Sequence, residues 1–203
     1  MVKAKHGVRV ILAGLCSIAA FLPAANALEG AQAGSGQTDK PLTSQDQDMR
    51  NRNSVPATFS TEIIAVDAEG RARAEMVIKV YELLSSGASI EEMRPYVRDD
   101  YIQHSPSLPD GPQGVTMFFA GLVAQYPVAI DVHRIIVVGD WVWAHVNFRN
   151  LDTTAPNDLG MAAVDIYKLD SDGKLAEHWD AVQGVPTHSV NPNGMFLPVR
   201  KGD

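Results

Sequence analysis

His178 and Asp180 are the two residues whose types and spacing first suggest chemistry. They follow the turn-forming pair Asp172-Gly173, in a segment over 175–182 that has the composition of a β-strand. Residues two apart in a strand project from the same face of a sheet, so the imidazole and the carboxylate are expected to stand side by side. Such a pair can transfer protons as a general acid and base. A surface location for both side chains is the competing interpretation.

Asp165 is a second carboxylate that the sequence places near this pair. It lies in an apolar segment over 161–169, which a short turn joins to the segment carrying His178. Consecutive strands of a hairpin are neighbours in the sheet, so Asp165 is predicted to share a face with Asp180. It would then be either a second acid of the site or a structural partner of a histidine, and the sequence leaves both roles open.

The composition is that of an ordinary globular protein, with 45% hydrophobic and 20% charged residues and a formal net charge of −7. A length of 203 residues predicts one domain, two at most. Lysine and arginine form no cluster in the body of the chain, and nucleic-acid binding requires a basic face. We therefore expect no nucleic-acid partner.

Residues 1–27 have the pattern of a secretory signal peptide. Lys3, Lys5 and Arg9 precede a short apolar run, and small residues lead up to a cleavage site after Ala27. The apolar run is shorter than the ~20 residues that span a bilayer. This pattern predicts export to the periplasm or the medium, with no membrane attachment after cleavage. The only cysteine leaves with the peptide, so no thiol chemistry is expected.

The mature chain divides into a leader, a set of helices and a set of strands. Residues 28–60 are poor in apolar side chains and are predicted to be a disordered leader, ahead of a folded domain over 61–203. Apolar residues at helical spacing, and a Ser-initiated short segment, predict helices over 69–85, 89–94 and 113–125. Period-two alternation then predicts strands over 129–138, 141–150, 161–169 and 175–182. This order predicts an α+β fold with helices packed on one face of a mainly antiparallel sheet.

Several short motifs in this domain resemble those of the SnoaL-like polyketide-cyclase family, within the nuclear transport factor 2-like superfamily. The similarity covers about residues 68–182, with the order and spacing of the motifs intact. The matching motifs are Tyr101-Ile102-Gln103-His104, Asp110-Gly111-Pro112, Phe118-Phe119, Gly139-Asp140-Trp141-Val142, Asp165-Ile166-Tyr167-Lys168-Leu169 and Gly173-Lys174-Leu175-Ala176-Glu177-His178-Trp179-Asp180.

The resemblance implies a cone, in which three helices wrap a strongly curved sheet around an apolar cavity for a small carbonyl compound. In the cyclases of the family a carboxylate removes a proton alpha to a carbonyl, and the enolate closes a ring by aldol addition without a metal or organic cofactor. The matching carboxylate here is Asp180. His104 is the first candidate to polarise the carbonyl, because it ends the extended segment expected to run into the mouth of the cone. Further candidates for binding in the cavity are Tyr101, Phe118, His145, Asp165, His178 and Trp179.

Two alternatives to a cofactor-independent lyase or isomerase remain open at this stage. One is an exported module of the same fold that binds an apolar ligand without turnover. The other is a metal-dependent variant, with ligands drawn from His104, His145, Asp165, His178 and Asp180. By analogy with the family we also expect a homodimer, formed through the outer face of the sheet with Trp141, Trp143 and Trp179 as possible interface aromatics.

Overall fold

The computed structural model describes Ser44 and residues 60–151 and 159–196. The predicted signal peptide, and all of the predicted leader except Ser44 and Ser60, lie outside these residues, so export stays a prediction. The helices are α1 (Ala68–Ser86), α2 (Ile90–Met93) and α3 (Pro112–Val123). The strands are β1 (Glu62–Ala65), β2 (Val97–Gln103), β3 (Ala129–Val138), β4 (Trp141–Arg149), β5 (Met161–Leu169) and β6 (Leu175–Gly184). The described part of the chain contains no helix long and apolar enough to cross a membrane.

Helix α1 begins and ends at capping residues, Asp67 and Gly87. The Asp67 side chain accepts a hydrogen bond from the Gly70 amide at 2.7 Å, which caps the first turn. Gly87 ends the helix in the left-handed region with φ 72°, a conformation that glycine adopts without steric cost. Between these ends, one stripe of α1 is buried against the sheet, and it includes Val77, Val80, Tyr81 and Leu84.

The sheet has six strands in the order β1-β3-β4-β5-β6-β2, and it is curved without closing. Strands β3 to β6 form antiparallel pairs, while β1 runs parallel to β3 and β2 runs parallel to β6. The predicted α+β architecture, with helices on a curved and mainly antiparallel sheet, is confirmed. Strand β1 is an addition, because its four residues are too short to show a period in the sequence.

The alternation along β4 decides which face of the sheet looks inward. Val142, Ala144 and Val146 are fully buried beneath the helices. His145, between them, therefore points to the opposite, outer face. It approaches Arg134 on that face, with Nδ1 3.1 Å from the guanidinium. His145 is thus outside the cone, which corrects its place among the candidate cavity residues.

Part of the outer face is covered by residues 185–196, which follow β6 and form neither helix nor strand. The Phe196 ring stacks on His133 with centroids 4.6 Å apart and lies 5.4 Å from the ring of His145. His133 sits at a register irregularity between Val132 and Arg134 of β3. It is buried beneath Phe196.

This covered pair of histidines predicts a loss of stability in mild acid. Burial lowers the pKa of His133 from its ordinary value of 6.5 to about 4, and the neighbouring His145 and arginines reinforce the effect against the opposing charge of Asp131. Between about pH 4 and pH 6.5 the unfolded chain therefore binds more protons than the folded chain. Stability is complete above about pH 6.5 and falls as the pH drops toward 4. We expect a loss of about 2 kcal/mol between pH 7.5 and pH 5, measured by urea unfolding.

The matched variants for this measurement are His133→Phe and His188→Phe. His133→Phe removes the buried imidazole, so the free energy of unfolding should vary less with pH over this range. His188 is exposed, so its replacement should leave the pH dependence of the free energy of unfolding unchanged. An unchanged slope in His133→Phe would assign the acid sensitivity to other groups.

The remaining outer face carries a row of aromatic side chains. Trp141 lies 6.1 Å from Trp143 and 5.7 Å from Trp179, measured between ring centroids, and the Lys168 ammonium stands 4.7 Å above Trp141. The three tryptophans, which were named as possible interface aromatics, therefore lie on the outer face of the sheet. The homodimer itself stays a prediction.

Candidate active site

The register of β5 and β6 brings the candidate acids together on the inner face. Asp165 is paired with Asp180, and Tyr167 is paired with His178. Directly paired residues project from the same face with Cβ atoms about 5 Å apart. The hairpin expected from the Asp172-Gly173 turn thus places three chemistry-bearing side chains, Asp165, His178 and Asp180, within one patch under the helices.

Asp165 lies at the buried end of this patch and is 3% exposed. The Tyr81 hydroxyl of α1 donates to Asp165 Oδ2 at 2.6 Å, and the Tyr167 hydroxyl donates to that of Tyr81 at 3.1 Å. Burial, and then the charge of Asp165, raise the pKa of both tyrosines well above the ordinary value. Both hydroxyls therefore keep their protons and act as donors. Asp165 accordingly has the environment of a structural partner in addition to its position in the site.

His178 is fixed by contacts on both sides of its ring. The ring stacks on Tyr167 with centroids 4.8 Å apart, and Nδ1 lies 2.8 Å from the Gln103 side-chain oxygen on β2. The other nitrogen, Nε2, is buried and makes no hydrogen bond within the described residues. It lies 3.6 Å from Asp165 Oδ1, which makes His178 and Asp165 a loose buried pair.

Asp180 differs from Asp165 because it is half-buried and keeps its carboxylate free. The carboxylate forms no hydrogen bond or ion pair with the part of the chain that the structure describes. Tyr101 of β2 is buried nearby, and its hydroxyl also has no hydrogen-bond partner among the described residues. Burial raises the pKa of Tyr101, and the charges of Asp165 and Asp180 raise it further. The patch therefore combines an available carboxylate with an available, protonated hydroxyl.

His104 lies on the other side of the sheet, and this corrects the expectation that it meets Asp180 inside the cone. Gln103 is paired with His178, so the next residue along β2 turns outward. The His104 ring stacks on Trp179 at 4.3 Å, and its Nε2 is 3.2 Å from Glu177 Oε2. Trp179 and Glu177 alternate with His178 and Asp180 along β6, so Trp179 is also outside the cone.

The division between two faces also bears on the metal-dependent alternative. Asp165, His178 and Asp180 lie inside, whereas His104 and His145 lie outside, so the five proposed ligands do not converge. No group of three potential ligands among the described residues is arranged to hold a metal ion.

Phe118 is the last of the predicted binding residues, and it lies apart from the inner-face patch in the packing of α3. Phe118 is half-buried on α3 and packs edge-on against Phe119, which contacts Phe148 in the core. Two shallow clefts of about 270 and 150 Å³ open near the N-terminal half of α1, around Glu69 and Arg73. Neither includes a candidate site residue. The inner-face patch is the better candidate because it holds the unpaired acid and hydroxyl.

Sequence reasoning missed Tyr81, Tyr167 and Gln103 as members of this patch. Tyr167 had a visible signal, since it lies two residues after Asp165 in the same strand and must share its face. Tyr81 occupies the apolar stripe of α1, where an aromatic residue is read as core packing. Gln103 stands beside His178 only because β2 and β6 pair across the sheet.

Comparisons with known proteins concern the family and the fold of this chain. The family model of the SnoaL-like domain matches the sequence over residues 77–178, just over half of the chain. Among 122 matching chains of known structure is a candidate polyketide cyclase from Bacillus cereus ATCC 10987, 20% identical, with a TM-score of 0.50 over 63% of this chain and 86% of that one. At such identity the likeness shows a shared fold.

Two further structures are similar over comparable lengths. A candidate SnoaL-like polyketide cyclase from Jannaschia sp. CCS1 is 16% identical, with a TM-score of 0.46 over 58% of this chain and 90% of that one. A steroid delta-isomerase from Pseudomonas aeruginosa is 15% identical, with a TM-score of 0.43 over 59% of this chain and 83% of that one. No curated protein matches the sequence.

Proposed function

Because the chain belongs to the SnoaL-like domain family, we propose that it is a cofactor-independent enzyme that removes a proton alpha to a carbonyl group. The observation that supports this most is the unpaired Asp180 carboxylate beside the unpaired Tyr101 hydroxyl on the inner face. The product would arise by intramolecular aldol closure or by isomerisation. The substrate class is a small, largely apolar carbonyl compound.

In the proposed mechanism Asp180 is the general base. Its carboxylate takes the alpha proton and becomes a carboxylic acid, while the C–H electron pair forms an enolate. A positioned base of this kind contributes roughly 10²- to 10⁴-fold to a rate. Asp180 can accept the proton because no donor or cation of the described residues occupies its oxygens.

The developing negative charge on the substrate oxygen needs a hydrogen-bond donor, and Tyr101 is our candidate. Its raised pKa keeps the hydroxyl protonated at neutral pH, and its ring is held in the core. A donor already fixed in an apolar setting stabilises charge without reorganisation at the moment of reaction. In the aldol reaction the enolate carbon attacks a second carbonyl, whose π electrons move to its oxygen, and that oxygen takes the proton from Asp180. In the isomerisation the enolate instead takes this proton back at another carbon, and in both reactions Asp180 returns to its carboxylate form.

The proposal is tested with 2-tetralone, an apolar ketone with acidic alpha hydrogens. We expect the protein to accelerate incorporation of deuterium from D₂O at the alpha carbon, followed by NMR. Asp180→Asn should reduce this acceleration by at least about 100-fold, since an amide cannot serve as the base. Its free energy of unfolding should change by less than about 0.5 kcal/mol, since the carboxylate makes no hydrogen bond or ion pair with the described residues.

Glu177→Gln is the matched control, because it neutralises an acid three residues away on the outer face of the same strand. It should retain the exchange rate of the unaltered protein. Exchange that is equally fast in Asp180→Asn would exclude Asp180 as the base. Saturable binding of the ketone with no acceleration in the unaltered protein would instead favour the alternative function, a non-catalytic binding module of the same fold.

A further inference from the structure

The Gln103 side chain makes two contacts through a single oxygen atom. Its Oε1 accepts a hydrogen bond from the Ser105 backbone amide at 2.9 Å and lies 2.8 Å from His178 Nδ1. The backbone of Gln103 is itself held, because its amide donates to the Asp110 carboxylate at 2.8 Å. The end of β2 therefore presents a fixed acceptor to the imidazole.

The Ser105 contact decides the orientation of the Gln103 amide. A backbone N–H can only donate, so the atom that faces it must be the oxygen and not the NH₂ group. An amide oxygen carries no proton, so the short contact with His178 requires that Nδ1 donates. His178 therefore carries a proton on Nδ1, and any other arrangement would set two acceptors against each other in a buried location.

The second ring nitrogen then faces Asp165. A neutral imidazole with its proton on Nδ1 has a lone pair on Nε2, which here lies 3.6 Å from a carboxylate oxygen of a residue that is 3% exposed. A lone pair and an anionic oxygen repel each other where little water screens them. One additional proton, on Nε2 or on Asp165 Oδ1, turns this repulsion into an attraction.

We propose that Gln103 is a positioning residue that fixes the proton of the neutral His178 ring on Nδ1, so that Nε2 presents its lone pair to Asp165. This inference deepens the proposed function, because Asp165 is paired with the proposed base Asp180 in the sheet.

The proposal is tested by ¹⁵N NMR of protein labelled at its histidines, near pH 7, with His178 assigned by the loss of its signals in His178→Gln. ¹⁵N shifts and long-range couplings distinguish the two neutral forms of the ring from each other and from the doubly protonated form. We expect either the doubly protonated ring or the neutral ring with its proton on Nδ1. A neutral ring with its proton on Nε2 would overturn the proposal.

Three variants separate positioning from simple packing. Gln103→Leu removes the acceptor and should move His178 to the form protonated on Nε2, from which it can donate to Asp165. Gln103→Glu keeps an acceptor oxygen and should preserve the proton on Nδ1, even if Gln103→Leu fails to fold. Gln125→Leu is the control, because Gln125 is an exposed residue just after α3 whose side chain donates to the Gly121 carbonyl. It should leave the His178 signals unchanged. An unaltered ring state in a folded Gln103→Leu protein would overturn the role of Gln103.

The NMR readout needs no substrate, so it stands apart from the ketone assay. Absence of exchange with 2-tetralone would count against the proposed function while the ring state of His178 is still measured. Conversely, active protein with His178 protonated on Nε2 alone would support the function and reject the role of Gln103.

Discussion

Replacement of Asp165 by leucine is expected to lower the free energy of unfolding by about 4 kcal/mol. Leucine is similar in size but accepts no hydrogen bond, so the Tyr81 and Tyr167 hydroxyls lose the acceptor on which their chain of hydrogen bonds ends. A buried donor without a partner costs about 1–3 kcal/mol. His178 also loses the buried partner that faces its Nε2.

The effect of Asp165→Leu is measured by urea unfolding, and a double-mutant cycle with Tyr81→Phe identifies its cause. Removal of both members of a buried hydrogen bond costs less than removal of the acceptor alone. The double variant should therefore be less destabilised than the sum of the two single variants, by about 1 kcal/mol or more. Additive losses would mean that Tyr81 and Asp165 do not depend on each other.

Replacement of Gly160 by alanine is the second large effect, with an expected loss of about 3 kcal/mol. Gly160 has φ 100°, where a side chain is strained. A Cβ atom there would overlap Asn147 Oδ1 and lie 2.8 Å from the Phe148 carbonyl oxygen. Asn147 is fully buried, and its Nδ2 donates to the Leu159 carbonyl at 3.2 Å, so it has little freedom to move away.

Gly173→Ala is the matched control for Gly160→Ala, again by urea unfolding. Gly173 also has a positive φ, 79°, but a Cβ atom there would meet nothing within 4 Å. The Gly173→Ala variant should lose about 1 kcal/mol of its free energy of unfolding, from backbone strain alone. Equal losses in the two variants would show that the close approach of β4 to Gly160 does not contribute. The comparison also concerns the site, because Gly160 directly precedes β5, the strand that carries Asp165.

The two inner carboxylates have different surroundings, and this difference underlies the assignment of their roles. Asp165 is enclosed by tyrosine hydroxyls and an imidazole, so its replacement is expected to act mainly on stability. Asp180 has no such partners within the described residues, so its replacement is expected to act on proton transfer. Opposite outcomes for the two variants would exchange the roles.

Local sequence was sufficient for most of the secondary structure. The period-two pattern of residues 129–182 and the Asp172-Gly173 turn predict the hairpins, and hairpin pairing places Asp165 opposite Asp180. The caps of α1 are equally local, because Asp67 and Gly87 act within one turn of the helix. The family motifs, read in order, also predict the fold, and the match over 77–178 confirms it.

The inward face of each strand could not be predicted in this way. Alternation divides the residues of β4 into two sets, but only the position of the helices decides that Val142 and Ala144 are inside and His145 is outside. The same holds for His104, whose outward orientation follows from the pairing of Gln103 with His178. A shift of one residue in that pairing would exchange the two faces.

By itself, the sequence determined the α+β class, the course of the strands and the acids on β5 and β6, because these depend on contacts between near neighbours in the chain. Only the tertiary structure decided which polar groups share the interior. Tyr81, Gln103 and His178 come from three elements far apart in sequence, and they meet around Asp165 because the sheet curves beneath α1 and sets β2 beside β6. Buried donors and acceptors must find partners wherever packing places them, and that requirement is met across the fold and not along the chain.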